Sequence, residues 1–116
     1  MPREAVGMAR TARESSTSKL AKFFPEAMPM RIPVRLIPTS KPSPPYPENT
    51  TIEFGTAREV LFTSNLPLEF ADTLRLQNAD GTLDAEACVV ALQQDEGRIA
   101  VAARFTKNVS NWIIKS

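Results

Sequence analysis

The stretch that decides the fold is TLRLQNADGTLDAEACVVALQQDEGRIAVAARF, residues 73–105. Apolar and polar residues alternate through its three runs, which are separated by the turn sequences ADG (residues 79–81) and DEG (residues 95–97). Alternation with a period of two is typical of a strand with one buried face, and Asp-Gly is a strong hairpin signal. The stretch therefore predicts three consecutive antiparallel strands.

The same alternation predicts which side chains face inward. On the second strand we expect one shared inner face for Leu83, Ala85, Ala87, Val89 and Ala91. On the third strand we expect Ile99, Val101, Ala103 and Phe105 inside and Arg98, Ala100, Ala102 and Arg104 outside. The predicted core of the domain is Phe54, Phe62, Leu74, Leu76, Val89, Val101 and Phe105.

Two shorter runs precede this stretch and one segment follows it. Residues 50–54 and 60–63 are predicted strands, and NLPL (residues 65–68) ends the second one. The segment around Trp112 fits either a short C-terminal helix or an extra strand. Five or six short antiparallel strands in a small chain favour closure, because closure removes exposed edges. We therefore predict an all-β fold, a small antiparallel barrel, over residues 48–116.

The N-terminal part of the chain has a different composition. Residues 1–24 are rich in Ser, Thr, Ala and Arg and are expected to form a disordered tail, in which SSTSKLAKF (residues 15–23) can nucleate a helical turn capped by a serine. Residues 25–47 contain eight of the ten prolines. Within them MRIPVRLIP (residues 30–38) alternates like a strand, and its central proline restricts it to an edge strand or an extended arm.

Residue counts narrow the range of functions. The 116 residues include no histidine and one cysteine, which excludes histidine-based catalytic triads and multi-cysteine zinc sites. We expect a non-enzymatic binding module without a metal or a cofactor. The chain has no apolar run long enough to span a membrane and no secretory leader pattern, so a cytoplasmic location without membrane insertion is expected.

Charge is unevenly distributed along the chain. The net charge is +1, yet residues 1–41 carry +5 and residues 42–116 carry −4. The basic part contains Arg31 and Arg35, and four residues along a strand place both guanidinium groups on one face, roughly 13 Å apart. The pair fits a large anionic nucleotide, because arginine binds phosphate bidentately and stacks on bases. It equally fits solvated charges that protect an edge strand from aggregation.

At this point the sequence resembles a known family. The R-x-x-x-R arm, then GTAREVLFTSNLPLEFADTLRLQ (residues 55–77), then DAEACVVALQQDEGRIAVAARF (residues 84–105) look like a PilZ domain, and the resemblance covers roughly residues 30–112. PilZ domains are six-stranded antiparallel β-barrels, and many are bacterial receptors for cyclic di-GMP. The resemblance implies that Arg31 and Arg35 hold the phosphates and guanines of this ligand.

The family's second motif, [D/N]-x-S-x-x-G, aligns on residues 54–59. Thr56 keeps the hydroxyl of the serine, and Arg58 adds a positive charge within the motif. Phe54 stands in place of the guanine acceptor, and Glu59 replaces the glycine with a negatively charged side chain. The resemblance thus gives Arg31, Arg35, Thr56 and Arg58 as ligand-binding residues.

Two hypotheses for the function follow from the resemblance. The first is a cytoplasmic signalling module that binds cyclic di-GMP and meets a protein partner. The alternative is a PilZ-type adaptor that acts only through protein–protein contacts, without nucleotide. DNA and RNA are not expected partners, because the barrel half is acidic and its aromatic residues lie mostly at core-facing positions.

Overall fold

Six antiparallel strands close into a barrel in the computed structural model, which describes residues 16–39, 47–95, 97–107, 109 and 112–114. The elements are α1 (Ser16–Ala21), β1 (Met28–Pro38), β2 (Glu48–Gly55), β3 (Glu59–Ser64), β4 (Thr73–Gln77), β5 (Asp84–Asp95) and β6 (Arg98–Phe105). The strands follow the order β1-β2-β3-β6-β5-β4, and β4 pairs back onto β1. The predicted all-β barrel is confirmed.

The two hairpin turns lie where the turn sequences predict them. Gly81 and Gly97 adopt φ values of 76° and 87°, a left-handed conformation that costs glycine little. In the first turn Asp80 accepts hydrogen bonds from the backbone N–H and the hydroxyl of Thr82. These bonds lower the pKa of the Asp80 carboxyl. The turn chemistry thus fixes the β4–β5 register.

The barrel interior is filled largely by the residues that the alternation predicts. Five of the seven predicted core residues are fully buried, and Phe105 is half-buried against them. The same cluster also contains Val34 and Leu36 of β1. The fully buried predicted residues are Phe62, Leu74, Leu76, Val89 and Val101.

β1 is an integral barrel strand, which corrects the expectation of an edge strand or an arm ahead of the barrel. It pairs with β2 along most of its length and with β4 from Arg35 to Pro38. Pro33 pairs with Thr51 of β2, at a point that β4 does not reach. A strand that has a neighbour on one side only tolerates a residue without an N–H. The barrel therefore begins at residue 28 rather than at residue 48.

A second apolar cluster lies outside the barrel, beneath α1. Leu20 of α1 is only 3% exposed and packs on Leu61, Ala100 and Ala102, whose side chains point away from the barrel interior. Residues 16–24, which their composition assigned to a disordered tail, thus form α1 and the turn after it. Residues 1–15 of that predicted tail lie outside the described residues.

Two inward-facing assignments are wrong, and both lie at register shifts. β5 carries one extra residue between Val89 and Ala91, so Ala91 turns outward and joins the cluster beneath α1. An inserted residue reverses the alternation of the strand beyond it. The β1–β2 register shifts between Pro29 and Ile32, and here Phe54 also packs on the outer cluster.

Candidate functional site

The arginines of β1 lie on the outer surface of the barrel. Arg31 and Arg35 are exposed, and they alternate with Val34 and Leu36, which are buried inside. Among the described residues neither guanidinium forms an ion pair, whereas Arg75 pairs with Asp84. The strand therefore presents two positive charges on one face.

The two arginines have different surroundings along β1. Arg31 lies between Pro29, which pairs with Phe54, and Ile32, which pairs with Ile52. The β2–β3 turn that carries Thr56 and Arg58 follows Gly55, which pairs with Met28 at the start of β1. Arg35 lies four residues further along the strand, about 13 Å away. Along β1 the β2–β3 turn and Arg35 thus lie towards opposite ends, with Arg31 between them.

Arg35 has two amide side chains as its nearest lateral neighbours. It pairs with Asn49 of β2 on one side and with Gln77 of β4 on the other. The three residues line a groove of about 510 Å³ on the outer surface, together with the β4–β5 turn. Sequence reasoning missed Asn49 and Gln77 as site residues, because an extended arm has no lateral neighbours.

The hydroxyl of Thr56 is used within the β2–β3 turn. Thr56 is 5% exposed, and its Oγ1 accepts hydrogen bonds from the backbone N–H groups of Arg58 and Glu59, at 3.0 and 2.9 Å. The same hydroxyl donates to Glu59 Oε1 at 2.5 Å. Thr56 therefore shapes the turn, and Arg58 is left exposed at its tip with no ion pair among the described residues.

The two departures from the family motif also have partners inside the fold. Glu59 Oε2 binds Arg104 on the neighbouring strand β6, with Nη2 at 2.8 Å. This ion pair offsets the negative charge that Glu59 brings to the motif. Phe54 packs on the cluster beneath α1, so its ring lies away from the barrel interior.

Trp112 holds the end of the barrel next to this turn. Its indole Nε1 donates a 2.7 Å hydrogen bond to the backbone carbonyl of Thr56, and its ring meets Phe105 edge to face, with centroids 5.3 Å apart. A short C-terminal helix or an extra strand was expected here. Neither is found among the described residues of this segment, which are Val109 and residues 112–114. The segment instead packs its tryptophan, 2% exposed, against the main core.

A second outer groove, of about 590 Å³, runs along β4 and β5. Arg75 spans it with a bidentate contact to Asp84, at 2.6 and 2.8 Å. The hydrogen bond from Arg75 lowers the pKa of Asp84, and the same bond raises the pKa of Arg75. The charges of this groove thus largely compensate one another, in contrast to those of β1.

No protein-family model matches the sequence, and no curated protein matches it as a relative. Within the described ranges, no three His, Cys, Asp or Glu side chains come together as metal ligands would. No helix among the described residues is long and apolar enough to cross a membrane.

Proposed function

We propose that this chain is a PilZ-like domain that binds cyclic di-GMP through Arg31 and Arg35. The observation that carries the proposal is the pair of exposed arginines on one face of β1, neither of which has an acidic partner among the described residues. Each guanidinium can bind a phosphate bidentately or stack on a guanine. A ligand with two phosphates and two bases matches a pair of cations about 13 Å apart better than a small anion does.

The other two proposed site residues have unequal roles. Arg58 stands exposed at the tip of the β2–β3 turn, near the Arg31 end of β1, and adds a third positive charge. Thr56 acts as a positioning residue, because its hydroxyl already bonds to Glu59 and to two backbone N–H groups. We place the domain in the bacterial cytoplasm, as a non-enzymatic module whose ligand-bound surface meets a protein partner.

Calorimetry with cyclic di-GMP tests this function. The full chain is expected to bind at low salt, and the affinity is expected to fall at physiological salt, where charges are screened over about 8 Å. Arg31→Ala and Arg35→Ala should each weaken binding about 10- to 150-fold, because a hydrogen bond to a charged group contributes about 1.5–3 kcal/mol.

A charge-matched control separates the site from general electrostatics. Arg98→Ala removes another exposed arginine, from the β5–β6 hairpin, and should leave the affinity unchanged. Equal losses in all three variants would contradict the assignment of the site to β1. Absence of heat with the wild-type chain at millimolar ligand would overturn the nucleotide function.

A specific observation favours the alternative, an adaptor that works without nucleotide. All three informative positions of the second motif are used by the fold: Phe54 packs beneath α1, Thr56 braces its turn and Glu59 pairs with Arg104. A site with only one of its two motifs available would bind more weakly. The adaptor function would be supported by a folded wild-type chain that gives no heat with cyclic di-GMP.

A further inference from the structure

We propose that Asn49 and Gln77 read the edge of a guanine held by Arg35 and make the site selective for guanine over adenine. This inference rests on the proposed function, since it concerns the ligand of the same strand. It adds two specificity-determining residues that lie outside both motifs of the resemblance.

The barrel topology brings the three side chains into one row. Arg35 pairs with Asn49 across the β1–β2 ladder and with Gln77 across the β1–β4 ladder. Directly opposed residues have Cβ atoms about 5 Å apart and point to the same face of a sheet. An amide therefore flanks the exposed guanidinium on each side, and all three residues border the same groove.

The amide groups of this row retain unused hydrogen-bonding capacity. Among the described residues Asn49 makes no side-chain hydrogen bond, and Gln77 makes one long contact, from Nε2 to Asp84 at 3.5 Å. Asn78, the next amide in the groove, differs, because it bonds through both side-chain atoms to Thr82 and Leu83 of its own turn. Only Asn49 and Gln77 thus offer free amide atoms beside Arg35.

The chemistry of the row matches guanine rather than adenine. Guanine presents N1–H, O6 and N7 in sequence along one edge, and arginine, which only donates, can bind the O6 acceptor between the other two. An amide carbonyl beside it can accept from guanine N1–H, and an amide N–H on the other side can donate to N7. Adenine carries an amino donor in place of O6, and this amino group would face the donors of Arg35 with no acceptor between them.

The row also supplies a group that the second motif lacks. In the resemblance the first position of that motif provides an acceptor for guanine, and here it is Phe54, packed beneath α1. The amides beside Arg35 offer carbonyl acceptors at the opposite end of β1. Base recognition is therefore assigned to the Arg35 end of the strand, and Arg31 with Arg58 to the phosphates.

Comparison of cyclic di-GMP with cyclic di-AMP tests the inference. Dissociation constants for both are measured by calorimetry with the wild-type chain, Asn49→Ala, Gln77→Ala and the double variant. The wild-type chain should prefer cyclic di-GMP. Each single change should reduce this preference about 2- to 10-fold, the range for one lost hydrogen bond. Affinity for cyclic di-AMP should stay nearly constant.

Gln94→Ala serves as the matched control, since it removes an exposed amide of β5 outside the groove. It should leave the preference unchanged, and thermal melts of all variants should show that they remain folded. If cyclic di-GMP binds and folded Asn49→Ala and Gln77→Ala keep the wild-type preference, the inference is wrong while the proposed function stands. If neither dinucleotide binds the wild-type chain, both fail.

Discussion

The substitution Gly55→Ala is expected to destabilise the barrel at the end that carries the β2–β3 turn. Gly55 lies beneath the C-terminal segment, and an added Cβ would be 2.8 Å from Met30 Cε and 2.8 Å from Trp112 Cζ2. Real Cβ atoms do not approach other atoms so closely. The glycine is thus required for close packing, whereas Gly81 and Gly97 are required for a positive φ.

The size of the effect follows from what can move. The Met30 thioether is flexible and can yield. The Trp112 ring is held by its bond to the Thr56 carbonyl and by its edge-to-face contact with Phe105. Overpacking of a core costs about 1–3 kcal/mol. In a small domain this loss corresponds to a melting temperature lower by about 4–20 °C.

Tryptophan fluorescence provides the assay, because Trp112 is the single tryptophan of the chain and is buried. Gly55→Ala should shift its emission towards that of a solvent-exposed indole and lower the melting temperature. Gly81→Ala is the control: its added Cβ meets no atom within 4 Å, so strain at positive φ should lower stability without changing the emission. Wild-type emission and stability in Gly55→Ala would refute the packing argument.

Two further predictions concern α1 and the β4–β5 ion pair. Leu20→Ala should lower the free energy of unfolding, measured by urea titration, by about 2–5 kcal/mol, because Leu20 is buried between α1 and the barrel. Phe23 is the control: its side chain is 74% exposed, so Phe23→Ala should change the free energy of unfolding by less than about 0.5 kcal/mol. Equal effects would show that α1 does not depend on Leu20. The hydrogen bond from Arg75 lowers the pKa of Asp84 in the folded state, so the ionised carboxylate stabilises the fold. This stabilisation is fully present above the ordinary aspartate pKa and is lost as the pH falls through the lower pKa of the folded state. Acid unfolding of Asp84→Asn should lack this component, and an acid limb identical to that of the wild type would contradict it.

The strands and turns were predictable because several independent signals coincide in residues 73–105. Alternation assigns the faces, and Gly81 and Gly97 provide the left-handed turns that the hairpins need. The errors at Phe54 and Ala91 arise where the register shifts, because one extra residue leaves no mark on the pattern of apolar residues. Such shifts depend on how two strands meet, which a single strand's sequence does not contain.

The helical turn expected within residues 15–23 is present as α1, but its packing on the barrel was not predicted, although the strands beneath it carried a signal. Ala100 and Ala102 point away from the barrel, where exposed strand faces usually carry polar residues, and both are fully buried. Small apolar residues on an outward face indicate a covering element. The cover itself was hard to recognise, because α1 has six residues and only Leu20 is a large apolar side chain.

Of the candidate site, only the residues that lie on the single strand β1, Arg31 and Arg35, could be predicted from the sequence. The spacing of Arg31 and Arg35 places them on one face whether β1 is an arm or a barrel strand. The role proposed for Asn49 and Gln77 depends instead on β1 having a neighbour on each side, which follows from closure of the barrel. The sequence motif identifies the two arginines, whereas the strand pairing is needed to identify Asn49 and Gln77 as the neighbours of Arg35.

Contacts within the fold distinguish the two regions of the chain that resemble the family motifs. The region that resembles the second motif is held by three contacts. Phe54 packs beneath α1, and Glu59 pairs with Arg104 of β6. The carbonyl of Thr56 accepts a hydrogen bond from Trp112 of the C-terminal segment. Each contact stabilises the fold and removes a group from ligand binding. The outer face of β1 near Arg35 is under no such demand, since its arginine and flanking amides pack against no covering element among the described residues. The proposed recognition of a base therefore fits this row better than the turn, and it would depend on strand pairing rather than on a contiguous motif.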